Sequence, residues 1–324
     1  MRKKILISIF LILFCSLITL NSQSTTSQKR YALIIGNSNY QHSPLKNPVN
    51  DAVDMSAVLK EKGFEVQLLL NSTFRKMTSA VKKFGKKLYT GGIGLFYYAG
   101  HGVQIKGRNY LIPVDLNVES EEDVEFGALD GDYVLSTMDG AENSMNIIIL
   151  DACRDNPFAR SFRSFSRGLG KMEAPKGSII IYSTSPGSIA KDGTGRNGTF
   201  TKHLLSLIKN SNLEIAKLLK NLRKAVLEDS SGVQLPWESS SLMTDFYFTP
   251  QKTIESGEGY LSISIIPYAE VVIDEKSHGE IPPVRKIKLN TGEHQLTLKY
   301  GKKIERRTVI IKKDQTTVFK YNFK

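Results

Sequence analysis

The chain has 324 residues, of which 40% are hydrophobic and 23% are charged. This composition allows one large core plus a smaller module, and it excludes a wholly disordered chain or a repeat array. The formal net charge is +12. Because the lysines and arginines are spread along the chain, without a basic run that contains aromatic residues, no nucleic-acid partner is predicted.

The first 24 residues have the features of a secretory signal. Basic residues at 2–4 precede an apolar run at 5–20, and small polar residues follow. A retained membrane anchor is one alternative, since the apolar run is near the lower length limit of a spanning helix, and a lipid anchor on Cys15 is another. We expect a cleaved signal at 1–24. The protein would then be exported and periplasmic, associated with the cell envelope or secreted.

The chain contains two cysteines, Cys15 and Cys153. Removal of the signal leaves Cys153 as the single thiol, so no internal disulfide is predicted. A lone cysteine in an exported protein can be a reactive thiol. The alternative is a buried, inert cysteine that behaves as a small hydrophobic residue.

From residue 30 onward, apolar runs alternate with amphipathic segments. Continuous apolar runs such as IGLFYYAGHG indicate strands buried on both faces. The alternation is typical of an α/β fold with a mostly parallel sheet and helices on both of its faces. The predicted strands are 30–40, 64–70, 93–102, 146–153, 177–185 and 241–248, with a short extended piece at 108–115; the predicted helices are 50–63, 74–89, 200–210 and 213–230; an acidic loop lies between 115 and 146.

The composition changes at the end of this α/β region, which spans 30–249. Residues 250–258 have the polar, glycine-containing content of a linker. From 259 to 324, short alternating strands are separated by turn residues. This pattern predicts a small all-β domain, a β-sandwich.

Two predicted strand ends carry reactive side chains. In parallel sheets, functional residues gather at the carboxyl ends of the strands, and here YAGHG follows the third strand and LDACRD the fourth. A thiol nucleophile needs a base that takes its proton. His101 is the best candidate for this base, because Gly100 and Gly102 flank it and let the backbone approach a ligand closely. We expect His101 and Cys153 to meet at the same sheet edge.

The other histidines are less favoured as the base, and other roles for the Cys153 thiol are less favoured than nucleophilic catalysis. His203 is expected at a helix surface, His278 and His294 in solvent, and His42 lies in a loop and stays open. A core histidine beside an inert cysteine is the structural alternative. A zinc site lacks the usual Cys and His spacing. A peroxide sensor lacks a resolving cysteine once the signal is removed.

FYYAGHG together with IIILDAC resembles the caspase-like cysteine peptidases of the C14 type, in particular their bacterial metacaspase-like members, the orthocaspases. YALIIGNSNY, LKNPVNDAVDM, YLIPVD and YSTSPGSIAKDGTGRNGTFT also match, so the resemblance covers roughly residues 30–248. It implies an α/β/α sandwich in which His101 is the general base and Cys153 forms an acyl-enzyme. The N–H groups of Gly102 and Cys153 would hold the oxyanion, and no third catalytic residue is implied.

The resemblance also implies a pocket for a basic substrate side chain. Asp151, two residues before Cys153, and Asp51 match the positions of pocket acids. Two carboxylates suit a guanidinium group, which donates in a planar fork. Ala99 stands where a small hydroxyl residue is common, so the pocket has one hydrogen bond fewer. The alternative for Asp51 is a helix N-terminal residue favoured by the macrodipole.

Calcium binding in metacaspases depends on an acidic cluster, which this chain matches only in part. Asp115 and Asp132 fall near the matching places, whereas Gly131 and Arg160 stand where acids would be expected. An arginine is unfavourable in a calcium site. No cofactor and no strong calcium requirement are therefore predicted.

A basic loop follows Cys153 in the sequence ARSFRSFSRGLGK. If the enzyme cleaves after basic residues, this loop is a candidate for self-processing. The alternative is an ordinary solvated basic loop. The candidate self-cleavage residues are Arg160, Arg163, Arg167 and Lys171.

The region from 258 to 324 resembles a PEGA-type domain, although PYAE stands in place of the motif that gives the type its name. Such domains suggest a cell-envelope partner. The predicted function is an exported cysteine endopeptidase that cleaves polypeptides after Arg or Lys. The alternative is a catalytically silent caspase-like scaffold of the envelope. The presence of both His101 and Cys153 favours the enzyme.

Overall fold

The computed structural model describes residues 28–153, 169–185, 195–250, 257–281 and 285–323. The chain divides into two compact units, the first of which ends at Pro250. None of the helices within these ranges is both long and apolar enough to cross a membrane. The predicted signal at 1–24 and the loop residues Arg160, Arg163 and Arg167 lie outside the described residues.

The first unit is built on one mixed sheet whose central strands run parallel. Its strands lie in the order β2-β1-β3-β6-β7-β8, and only β8 is antiparallel to its neighbour. Two short strands, β4 and β5, extend the far end of β3 with antiparallel pairing. The bounds are β1 Arg30–Gly36, β2 Glu65–Leu70, β3 Ile93–Ile105, β4 Arg108–Leu111, β5 Leu129–Asp130, β6 Met145–Cys153, β7 Ser178–Tyr182 and β8 Trp237–Ser240.

Helices cover both faces of this sheet, which confirms the predicted α/β sandwich. Alternate side chains of each strand enter two separate cores: Tyr97 packs with α1, α5 and α6, while its neighbour Tyr98 packs with α2 and α4. Both tyrosines are fully buried. The helices of the described residues are α1 Pro48–Glu61, α2 Phe74–Leu88, α3 Glu121–Gly127, α4 Gly131–Asp139, α5 Thr199–Asn210 and α6 Ile215–Asp229.

Helix α2 shows how the sequence produces this packing. Its buried residues include Met77, Val81, Phe84 and Leu88, which recur at helical spacing and form one apolar stripe against the sheet. Thr73 precedes the helix in extended conformation, and its hydroxyl accepts the Lys76 N–H. This hydrogen bond satisfies one of the donors that a helix start leaves without an intrahelical partner.

Two predictions for the first unit are wrong. The predicted acidic loop contains α3 and α4; α3 begins at a capping box formed by Ser120 and Asp123. The predicted last strand at 241–248 is irregular, and the edge strand β8 precedes it. Phe246 and Phe248 are buried in the core without a strand, and only a single bridge to Glu214 forms there. Alternate buried aromatic residues can thus give the sequence pattern of a strand where no strand forms.

The second unit is all-β, as predicted. Its strands form a four-stranded sheet, β11-β10-β13-β14, and a three-stranded sheet, β12-β9-β15. A common core contains Leu261, Ile263, Val271, Leu296 and Leu298. The bounds are β9 Glu258–Ile266, β10 Ala269–Ile273, β11 Lys276–Ile281, β12 Arg285–Asn290, β13 Gly292–Tyr300, β14 Lys303–Ile311 and β15 Thr316–Asn322.

Close packing of α1 against β1 yields the first prediction. A Cβ added at Gly36 would lie 2.5 Å from the Ala52 Cβ and 2.5 Å from the Pro48 carbonyl oxygen. We expect Gly36→Ala to lower the free energy of unfolding by about 1–3 kcal/mol, because rigid backbone must move to admit the methyl group. Chemical denaturation would measure the change. Gly195→Ala is the matched control, since its added Cβ meets no atom within 4 Å; equal losses in both variants would contradict the close packing.

Candidate active site

The two predicted catalytic residues lie on adjacent parallel strands. In the pairing of β3 with β6, His101 is opposite Cys153, and Ala99 is opposite Asp151. The predicted strand ends at Gly102, directly after His101, whereas β3 continues to Ile105. This continuation occurs because β3 leaves β1 after Ala99 and then pairs with β4 from Gly102 onward.

A backbone carbonyl orients the His101 side chain. His101 is only 2% exposed, and its Nε2 lies 2.7 Å from the Ser43 carbonyl oxygen. Because a carbonyl only accepts hydrogen bonds, Nε2 carries the proton in the neutral ring and Nδ1 is the basic nitrogen. Ser43 has a φ of +57°, in the left-handed region. The sequence does not mark Ser43 as a third residue of the site, because a backbone carbonyl oxygen has no side-chain signal.

Two tyrosine hydroxyls hold the His101 backbone. The Tyr40 hydroxyl accepts the His101 N–H at 2.9 Å, and the Tyr98 hydroxyl donates to the His101 carbonyl at 2.7 Å. The Tyr40 ring also packs on the imidazole, with ring centroids 4.4 Å apart. A Cβ at Gly100 would lie within 2.5–2.7 Å of both hydroxyls. The two tyrosine hydroxyls therefore require a glycine at position 100, and the close approach of a ligand to this backbone stays a prediction.

Gly102, one of the two predicted oxyanion donors, lies where β3 meets the end of β6. A Cβ at Gly102 would lie 2.9 Å from the Ala152 Cβ and 2.9 Å from Leu169. Only glycine therefore lets the backbones of residues 102 and 152 approach so closely. The Cys153 backbone belongs to β6, and its side chain lies outside the described part of the chain.

The two predicted pocket acids converge on the first turn of α5. Asp151 is 8% exposed and accepts a 2.7 Å hydrogen bond from the Thr201 hydroxyl, which also contacts the Tyr97 hydroxyl. Asp51 is 3% exposed and accepts the Gly198 N–H at 3.1 Å. Gly198 is the N-cap of α5. The helix that stabilises the Asp51 charge is therefore α5 as well as its own α1.

The acids of the incomplete calcium pattern have other partners. The Asp115 carboxylate accepts the Phe74 N–H at 2.9 Å, at the start of α2. The pKa of Asp132 is raised, first by burial and then by the neighbouring Asp130, although Arg108 lies 3.8 Å away. Within the described ranges, no cluster of three or more His, Cys, Asp or Glu side chains could hold a metal. The calcium independence of the protein stays a prediction.

The other candidate residues are dispersed. Lys171 contacts Glu173, with Nζ and Oε1 2.6 Å apart, and its Nζ lies 5.9 Å from the centroid of the Trp237 ring. His203 lies 2.9 Å from an Asp229 oxygen on the adjacent helix α6. His42 is exposed, in the same loop as Ser43.

The fold and the paired strand ends define a caspase-like peptidase. Residues 29–247 match the model of the caspase domain of the peptidase C14 family. This match covers more than half of the chain. The chain therefore belongs to the caspase-domain family, as the sequence motifs predicted.

Three curated proteins show the range of similarity. The chain is 36% identical over 140 residues to the human mucosa-associated lymphoid tissue lymphoma translocation protein 1, a stretch that is 41% of this chain and 16% of that protein. The mouse homolog is 35% identical over 130 residues, 40% of this chain and 15% of the homolog. Mouse caspase-1 is 23% identical over 245 residues, 70% of this chain and 61% of caspase-1. The chain thus spans about a sixth of the length of the first two relatives.

The contact between His101 and Ser43 yields the second prediction. In protein labelled with ¹⁵N at histidine, the neutral His101 ring should be the Nε2–H tautomer, because Nε2 faces an oxygen that can only accept. The ¹⁵N shifts of the two ring nitrogens distinguish the tautomers, and His101→Gln assigns the signal. An Nδ1–H tautomer would rule out the Ser43 carbonyl as the orienting group.

Proposed function

We propose that the protein is a cysteine endopeptidase that cleaves polypeptides after Arg or Lys. The observation that carries the proposal is the register that sets His101 opposite Cys153, with the imidazole oriented by the Ser43 carbonyl. A base held in one tautomer beside a thiol is the arrangement that nucleophilic acyl transfer requires.

The proposed reaction proceeds in two steps. His101 takes the thiol proton of Cys153 through Nδ1, and the thiolate sulfur bonds to the substrate carbonyl carbon. The C–N bond then breaks, and the leaving amine takes the proton from the imidazolium. In the second step His101 activates water, which displaces the sulfur and releases the new carboxyl terminus. The N–H groups of Gly102 and Cys153 would stabilise each oxyanion, by typically about 2.7–4 kcal/mol per donor.

The preference for basic substrates rests on the two carboxylates at the start of α5. Asp51 and Asp151 are both largely buried; Asp51 accepts the Gly198 N–H, and Asp151 accepts a hydrogen bond from the Thr201 hydroxyl. A carboxylate removed from water is stabilised strongly by a cationic partner. An arginine or lysine side chain of a substrate would be such a cationic partner, and the buried methyl group of Ala99 is opposite Asp151 in the sheet.

We also propose that the enzyme is exported, binds a partner in the cell envelope and processes itself. The signal-like sequence at 1–24 supports export, and the PEGA-like sequence from 258 supports a partner in the cell envelope. The basic residues at 160, 163, 167 and 171 support self-processing after activation. Single-chain protein that stays intact during long incubation of active enzyme would remove the self-processing step.

A substrate panel gives the third prediction. Purified protein under reducing conditions should hydrolyse peptides with Arg or Lys before the scissile bond, with or without calcium, and should leave the matching Asp peptide uncut. Cys153→Ala should abolish hydrolysis because it removes the nucleophile. Product analysis by mass spectrometry identifies the cleaved bond. No hydrolysis by the unaltered protein would contradict the enzyme proposal, and a preference for Asp would contradict the pocket.

Neutralisation of the pocket acids gives the fourth prediction. Asp51→Asn and Asp151→Asn keep an acceptor oxygen for Gly198 and Thr201 but remove the charge. We expect kcat/KM for an Arg peptide to fall about ten- to a hundredfold in each variant, the range of one charge-assisted hydrogen bond. Asp229→Asn is the matched control, since Asp229 is partly exposed and pairs with Lys202 on α5. Equal effects in all three variants would contradict the pocket assignment.

A further inference from the structure

One face of α1 binds Arg196 and Asn197, in the turn that precedes α5. The Arg196 guanidinium forms a bidentate pair with Asp54, with both N–O distances 2.9 Å. Asn197 donates to the same carboxylate at 2.9 Å, and the Asn50 amide donates to the Arg196 carbonyl at 3.2 Å. We call these four residues, Asn50, Asp54, Arg196 and Asn197, the α1–α5 clasp.

The next residue of the turn carries the connection into the proposed pocket. Gly198 donates its N–H to Asp51, which lies one helical turn before Asp54 on the same face of α1. Gly198 then caps α5, whose Thr201 binds Asp151. The position of the turn therefore fixes the partners of both pocket acids, although no clasp residue is itself one of the proposed pocket acids.

The charges of the clasp suit this role. The pKa of Asp54 is lowered, chiefly by the hydrogen bonds from the Arg196 side chain. Because the folded pKa lies below the unfolded value, the pair is intact at neutral pH and is lost only as the pH falls through that lowered value. Arg196 also supplies a positive charge near Asp51 and Asp54, whose like charges would otherwise repel each other at this spacing.

The exposure of the pair separates a positioning role from a stabilising one. The Arg196 side chain is 60% exposed and that of Asp54 is 24% exposed. An ion pair at the surface adds little to folding stability. A bidentate guanidinium pair nevertheless defines direction as well as distance. Geometry, and not global stability, is what this pair contributes.

We propose that the α1–α5 clasp positions the Asp51 carboxylate to bind the basic side chain of the substrate. This inference rests on the proposed function, because it assigns positioning residues to the proposed pocket. Arg196 and Asp54 do not contact the substrate in this proposal. They act by holding the turn at 195–198 against α1, so that Gly198 meets Asp51.

The test uses the full-length chain with Arg196→Ala, Asp54→Asn and the exchanged pair Asp54→Arg with Arg196→Asp. We expect KM for an Arg peptide to rise roughly three- to tenfold in each single variant while kcat stays within about twofold, because only pocket geometry changes. In the variant with the exchanged pair, KM should return most of the way to the value of the unaltered protein. Lys202→Ala removes another exposed ion pair of α5 and should leave KM unchanged.

A binding measurement separates the clasp from the chemistry. In the Cys153→Ala background, the Kd for an uncut Arg peptide is compared with that for the same peptide carrying neutral citrulline. Support requires that Arg196→Ala weakens binding of the Arg peptide only. If the parent prefers Arg and Arg196→Ala keeps that preference, the clasp is overturned and the pocket stands. If the Cys153→Ala protein with an intact clasp shows no preference for the Arg peptide, the proposed specificity for basic residues is contradicted, and so is the proposed role of the clasp.

Discussion

The parallel register between β3 and β6 is the constraint on which the whole site depends. It sets Ala99 opposite Asp151 and His101 opposite Cys153, so that one alignment of two strands assembles the proposed base, the proposed nucleophile and one proposed pocket acid. Side chains alternate along a strand, and a slip of one residue would turn Asp151 away from α5 toward the other core. The apolar contacts on both faces of the sheet favour this register, because a slip would send the residues of each core to the opposite face, where they would not fit the covering helices.

A second constraint acts where the sheet meets α5. Two buried carboxylates at one place would be costly without partners. The first turn of α5 offsets this cost through the Gly198 N–H, the Thr201 hydroxyl and the positive end of the helix dipole. These contacts alone are enough to explain why acids occur here. They do not explain why two carboxylates are concentrated at this edge of the sheet, where the proposed cationic side chain of the substrate would bind.

The sequence predicted the parts of the site that side-chain chemistry marks. His101 and Cys153 follow from reactive residues at the ends of apolar runs, and the α/β alternation follows from the periods of those runs. Two parts of the site could not be predicted in this way. One is the Ser43 carbonyl, because every residue has a backbone carbonyl, and the other is the pair of tyrosine hydroxyls that requires Gly100. The failure at 241–248 has a different cause, since burial of Phe246 and Phe248 did not require a strand.

The described site thus combines two kinds of positioning. The buried hydroxyls of Tyr40 and Tyr98 hold the His101 backbone in an environment that strengthens each hydrogen bond, and a partly buried contact with the Ser43 carbonyl orients the imidazole. The turn before α5 is fixed largely by an exposed ion pair between Arg196 and Asp54, which water and salt weaken. The position of the proposed base is therefore less sensitive to salt than the position of the turn that carries the proposed pocket contact. In the proposed enzyme, salt should consequently act on substrate selection before it acts on the chemical step.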